Sequence, residues 1–186
     1  MAIESPKYTL VKRDNKFEVR DYGEYIAAEI DVEAGFSDAL NTGFGILAGY
    51  IFGGNSAGSS IAMTAPVSET SSPKSERIPM TKPVSAYLKQ DQVYTVSFSM
   101  PRKYTLDTLP RPNDKNITIR IIPASRVAVL KYSGSLNEKL AANKTSELMA
   151  WLKQNNITPK STATSSQYNP PWIPGPFRTN EVMVNI

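Results

Sequence analysis

Phe17-Glu-Val-Arg-Asp-Tyr-Gly-Glu-Tyr-Ile-Ala-Ala-Glu-Ile30 and Ile117-Thr-Ile-Arg-Ile-Ile-Pro-Ala-Ser-Arg-Val-Ala-Val-Leu130 follow one plan. Each opens with a short β-type run that reaches an arginine, Arg20 or Arg120, turns, and continues as a second strand. A helical pattern follows in both places. Outward from the first copy, Tyr8–Arg13 and Lys16–Arg20 read as a hairpin around Asp14-Asn15, and Glu24–Val32 as a third strand after the Tyr22-Gly23 turn. Phe36, Leu40, Phe44, Leu47 and Ile51 then recur at helical spacing as one apolar stripe that stops at Gly53-Gly54. Outward from the second copy, Ile117–Ile122 and Arg126–Tyr132 form a strand pair. Ser135 and Glu138 have the spacing of a capping box, and Leu136, Leu140, Leu148, Trp151 and Leu152 form the buried stripe of a helix that Asn155-Asn156 ends. Two strand–strand–helix units repeated at this distance predict a pseudo-two-fold α+β fold.

The rest of the chain fills in around this repeat. Residues 53–92 are rich in Gly, Ser and Pro and read as short extended pieces. Tyr94, Val96, Phe98 and Met100 alternate with polar residues as a half-buried strand. Pro101–Asp114 reads as a loop, and strands near Ala163–Tyr168 and Glu181–Ile186 close the chain. A second echo is sharper: Ile61-Ala-Met-Thr-Ala-Pro-Val67 returns as Ile78-Pro-Met-Thr-Lys-Pro-Val84.

Composition removes whole classes of function. The 186 residues favour one domain, 1–186. There is no Cys and no His, which excludes thiolate nucleophiles, disulfides, Ser-His-Asp chemistry and imidazole-ligated zinc or haem. The Met1–Pro6 start shows neither a basic nor an apolar leader segment, and no apolar run is long enough to span a bilayer. A cytoplasmic protein is expected. The net charge of +4 comes from Lys and Arg spread along the chain, so no nucleic-acid partner is expected. No heptad seam or long unpaired edge is visible, so a monomer is expected. Gly43-Phe-Gly45-Ile-Leu-Ala48 fits a dinucleotide fingerprint only by spacing, because it lies inside the helical stripe.

Glu4-Ser-Pro-Lys-Tyr8, Phe17–Tyr22, Tyr50-Ile-Phe-Gly-Gly-Asn55, the paired Ile-x-Met-Thr-x-Pro-Val boxes, Val96-Ser-Phe-Ser-Met-Pro101, Leu109-Pro-Arg-Pro112 and Tyr168-Asn-Pro-Pro-Trp172 with Arg178–Val182 together resemble the SOUL haem-binding family nearly end to end. The resemblance implies a distorted antiparallel β-barrel flanked by two α-helices, akin to bacterial effector-binding domains. It also implies non-catalytic, non-covalent binding of haem or a metal-free porphyrin in a shallow apolar groove, as a tetrapyrrole carrier or buffer.

The same resemblance places the ligand against the first helix and the loop between the last two strands. The residues expected there are Leu40, Phe44, Leu47, Tyr50, Ile51, Tyr168, Pro171, Trp172 and Arg178. Gly45, Gly49 and Gly53 make a strip without side chains, along which either a flat ring or the sheet can approach the helix. Four prolines stiffen Tyr168–Phe177, so Trp172 is either presented to a ligand or folded down as a lid. Met63, Met80, Tyr50 and Tyr168 are the candidate iron donors in a chain without His, although the Met boxes read more readily as barrel structure. Residues 34–73 contain no Lys or Arg, which leaves Lys74, Arg77, Lys82 and Arg178 as propionate partners. Two other readings stay open. One is an effector-binding protein for other flat or amphipathic small molecules. The other is a hydrolase-like enzyme using Glu181, unless that carboxylate is tied up by Arg20 or Arg178.

Overall fold

Alternate residues of the long strands are apolar, and the computed structural model turns them to one side of a single curled sheet. It describes residues 3–57, 75–170 and 172–186. The elements run β1 (Tyr8–Asp14), β2 (Phe17–Tyr22), β3 (Tyr25–Glu33), α1 (Phe36–Ile51), β4 (Asn55–Ser56), β5 (Val84–Gln90), β6 (Val93–Ser99), β7 (Arg111–Pro112), β8 (Thr118–Ile122), β9 (Ser125–Tyr132), α2 (Glu138–Gln154), β10 (Thr164–Gln167) and β11 (Asn180–Asn185). Nine strands form an antiparallel sheet in the order β1-β2-β9-β11-β10-β5-β6-β3-β8, and β4 pairs with β7 apart from it.

This order carries the repeat seen in sequence. Exchanging β2 with β8, β3 with β9, β5 with β10 and β6 with β11 reads the eight strands after β1 in reverse, so a pseudo-two-fold axis passes between β5 and β10. Register agrees: Arg20 faces Val127 and Ala27 faces Arg120, each pair the other displaced by one repeat. β1 is added at one edge.

Each half buries its apolar alternates under its own helix. Ala28, Ile30, Ala86, Val96 and Phe98 pack against Phe36, Leu40, Leu47, Tyr50 and Ile51 of α1. Val19, Ala128, Leu130, Val182 and Val184 pack against Leu148, Trp151 and Leu152 of α2. Gly43 lets α1 sit close: a Cβ there would fall 2.5 Å from the Cβ of Val96. Gly45 and Gly49, by contrast, have nothing within 4 Å of that position. The glycine strip therefore does not seat the helix on the sheet.

Four expectations need correction. The cap of α2 is Asn137, whose side chain accepts from the Leu140 amide, so Ser135 and Glu138 form no capping box. Ser135 instead lies at the crossing of Gly134 and Gly175, where the Gly134 amide donates to the Gly175 carbonyl, and the helix begins only beyond it. Leu136, just before the cap, packs in one cluster with Ala141, a hydrophobic staple. Next, Val84–Gln90 is a full strand in the middle of the sheet, not a fragment of a loop-rich stretch; only Val84 and Ala86 mark its apolar face. β6 is covered on both faces, because Thr95 and Ser99 are buried by the curl. Finally, among the described residues the sheet does not close, so β1 leaves a seven-residue edge with Leu10 and Val11 exposed. A bulge between Leu10 and Lys12 and the charges of Lys12 and Arg13 blunt that edge.

Candidate functional site

With the apolar alternates turned outward to the helices, the polar alternates line the concave face. They enclose a groove of about 550 Å³, within the range of small-molecule sites. Five tyrosines ring it: Tyr8, Tyr22, Tyr25, Tyr87 and Tyr168. Between them stand Ser85, Ser97, Ser99, Ser125 and Thr164, with Val127, Ile122 and Met183 as apolar contributions. The groove is thus amphipathic, and it lies on the side of the sheet away from the helices.

One end is organised by a buried ionic network. Arg20 (1% exposed) donates Nη1 and Nη2 to the two carboxylate oxygens of Glu181 at 3.0 and 2.7 Å. Its Nε donates to Glu18 at 2.6 Å and Nη1 also to the Tyr22 hydroxyl at 2.9 Å. The Tyr168 hydroxyl donates to Glu181 at 2.5 Å, and the Arg20 guanidinium lies 4.2 Å from the Tyr8 ring centre. This bidentate geometry is what a planar guanidinium supplies and an ammonium does not. Burial works against the charge of Arg20, but hydrogen bonding to Glu181 overcomes it and raises its pKa. Burial also pushes Glu18 up, yet hydrogen bonds from Arg20 and Arg13 hold its carboxyl below the usual range. Burial raises the Tyr22 phenol to about 12 and, with the Glu181 charge, raises Tyr168 further, so both stay protonated, Tyr22 accepting from Arg20 and Tyr168 donating to Glu181.

The opposite end carries the repeat-related arginine. Arg120 Nη1 lies 3.4 Å from Glu29. Burial pushes the Glu29 carboxyl up ahead of the pull of Arg120.

Of the residues proposed from sequence, Tyr168 lines this groove. Leu40, Leu47, Tyr50 and Ile51 are buried beneath α1, and Phe44 is 38% exposed with its ring 5.6 Å from that of Phe98. Met80 packs against the same cluster. Trp172 is 79% exposed and Phe177 77%, so the Trp does not fold down as a lid. Arg178 donates through Nε to the Ile173 carbonyl, within the same loop. Met63, Pro171, Lys74 and the first box lie outside the described residues. Arg77 stacks over Phe52, while Lys82 reaches the groove. The groove tyrosines other than Tyr168, and Met183, were missed. Their signal is their place on the polar alternates of strands whose other alternates are apolar, a parity that the apolar stripes alone conceal.

Of the four candidate iron donors, the two phenols are already engaged, Met80 packs against the α1 cluster and Met63 lies outside the described residues. The groove offers area and aromatic walls, but the Tyr50 hydroxyl donates to the Pro110 carbonyl at 2.6 Å and Tyr168 donates to Glu181. Neither phenol is free to become a phenolate ligand. Among the described residues no cluster of three or more Asp or Glu has metal-site geometry. No described helix is long and apolar enough to cross a membrane.

Curled sheet, two outer helices and polar inner groove define an α+β domain of the effector-binding type. The chain belongs to the SOUL family: the family model described as "SOUL heme-binding protein" matches residues 3–185. No curated protein matches the chain. Among solved structures it is similar to the EcmrR C-terminal domain, at 13% identity and a TM-score of 0.63 over 96% of each chain. EcmrR in a DNA complex matches over 90% of this chain and 56% of its own, at 13% identity and a TM-score of 0.57. A hydrolase from Listeria innocua matches at 9% identity and 0.54, over 94% and 93%. These likenesses are of fold. By family the chain is a small-molecule-binding domain of the SOUL type, and its fold is effector-binding-like.

Proposed function

We propose that the chain binds a flat, amphipathic small molecule non-covalently in the concave groove, as a carrier or effector-binding module and not as an enzyme. The observation that carries this reading is the groove itself, about 550 Å³ ringed by five tyrosines with hydroxyls and ion pairs between them. Aromatic walls favour a planar ring by stacking, and the surrounding hydroxyls suit its polar substituents. Both oxygens of Glu181 are occupied by Arg20 and Tyr168, which speaks against its use as a general base. Haem is the ligand the family description favours, and metal-free porphyrin offers the same ring without iron. With both candidate phenols engaged, the ring is the part read, so the two should bind with affinities within about threefold.

The test is a parallel titration of haem and metal-free protoporphyrin, with two substitutions. Met183→Trp fills the groove from a half-buried position on β11 and should abolish binding. Phe44→Ala, at the margin of α1 beside Phe98 and away from the groove, should leave it intact. Binding that survives Met183→Trp and is lost with Phe44→Ala would move the ligand to the helix face and overturn the groove reading.

A further inference from the structure

Glu181 is 2% exposed and lies on the groove floor. A buried carboxylate in such a place would ordinarily draw a cation. Here Arg20 saturates it, and Glu18 is shared between Arg20 and Arg13 at 2.6 and 2.9 Å. Two arginines and two glutamates leave this end neutral. Arg120 and Glu29 form a second neutral pair at the other end. Among the described residues, the two remaining charged residues of the lining are Lys82 and Lys131. Neither is in an ion pair among the described residues, and Lys131 sits directly opposite Glu181 in the β9–β11 register without bonding to it.

We propose that the groove selects anionic over cationic flat ligands: Arg20 cancels the Glu181 carboxylate, and Lys82 and Lys131 meet a carboxylate on the ligand. This inference rests on the groove reading above. Its chemistry is that of an aromatic acid, whether the acid groups are the propionates of a tetrapyrrole or a single carboxylate on a smaller ring. The contribution of the lysines is screened by salt, because Lys131 is exposed.

Three fluorescent probes that share one ring and differ in charge test it: 1-pyrenebutyrate, 1-pyrenebutanol and 1-pyrenebutyl-trimethylammonium. At low salt the carboxylate should bind about tenfold tighter than the ammonium, and high salt should narrow the gap. Lys82→Ala with Lys131→Ala should weaken the carboxylate severalfold and bring it close to the alcohol. Arg20→Gln should invert the order by exposing Glu181, and Arg20→Gln with Glu181→Gln should level it. Should Arg20→Gln fail to fold, the wild-type order and the lysine variant decide alone. An ammonium probe that binds wild type as tightly as the carboxylate, or a lysine variant that weakens all three equally, overturns the charge selection while the groove reading stands. If no probe binds and haem binding survives Met183→Trp, the groove reading falls and this inference with it.

Discussion

Replacing Arg20 by Gln tests the structural claim on which the site depends. Arg20 reaches over β9 to tie β2 to β11, with all its partners on the concave face. The substitution removes the bidentate bond to Glu181 and the bond to Glu18, and leaves Glu181 buried with one neutral donor, Tyr168. Breaking a buried pair by removing one partner costs about 3–5 kcal/mol, mainly through the charge left behind. For a chain of this size that corresponds to a fall in Tm of about 6–20 °C. Glu181→Gln alone strands Arg20 less, because Glu18 remains, and should cost less. The double variant leaves no stranded charge at that pair and should be more stable than the sum of the singles by about 1–3 kcal/mol. Urea unfolding followed by tryptophan fluorescence measures all three. Trp151 is 6% exposed, stacked 5.0 Å from Phe17, and will report the transition, whereas Trp172 is already in solvent. Additive losses, or a loss below about 1 kcal/mol for Arg20→Gln, would refute the view that this network organises the groove floor.

Three further outcomes follow from the same packing and charges. Leu148→Ala and Trp151→Ala should cost about 2–5 kcal/mol each, since both lie in the α2 cluster and Trp151 also donates to Asp14 at 2.8 Å; full stability with lost ligand binding would show that this face is not core. Trp172→Ala should leave stability within about 0.5 kcal/mol and tetrapyrrole affinity within about twofold; a tenfold loss would put the ligand against the 169–179 loop. Glu29 has a folded pKa raised above its ordinary 4.5 by burial, so its favourable contribution is full below that value and is lost as pH rises through the folded pKa. Glu29→Gln should therefore stabilise the protein near neutral pH and lose that advantage below about pH 4, as read by urea midpoints; destabilisation near neutral pH would mean that the pair with Arg120 outweighs burial.

The fold was largely legible because its strongest determinants are local and repeated. The stripe Phe36–Ile51 defines α1 to the residue, and Asn155 ends α2 as expected. Arg20 and Arg120 mark equivalent places in two copies of one unit, and the sheet order returns that equivalence. What stayed hidden depends on partners far away in sequence. β5 has little alternation of its own, and it is a strand because β6 and β10 flank it. The cap of α2 moved from Ser135 to Asn137 because Gly175, some forty residues later, packs against Ser135.

The site was less legible, for a reason that lies in the alternation itself. Helical stripes announce where apolar residues gather, and in this fold they gather on the outer side of the sheet, beneath the helices. The stripe residues Leu40, Leu47, Tyr50 and Ile51 are therefore engaged in packing, and the groove proposed as the ligand surface is lined by the opposite parity. On β3 that parity holds Tyr25 and Glu29, on β5 Ser85 and Tyr87, on β6 Ser97 and Ser99, and on β11 Glu181 and Met183. In isolation each looks like a solvated strand face. Curling the sheet converts that face into a groove, and curl is a property of nine strands together. The burial of Arg20, Glu18, Glu29 and Glu181 is its chemical consequence: charges placed for solvent by parity are enclosed by curvature, and only pairing makes their enclosure tolerable. Hence the ion pairs of the groove floor are the feature that separates this groove from an ordinary exposed sheet.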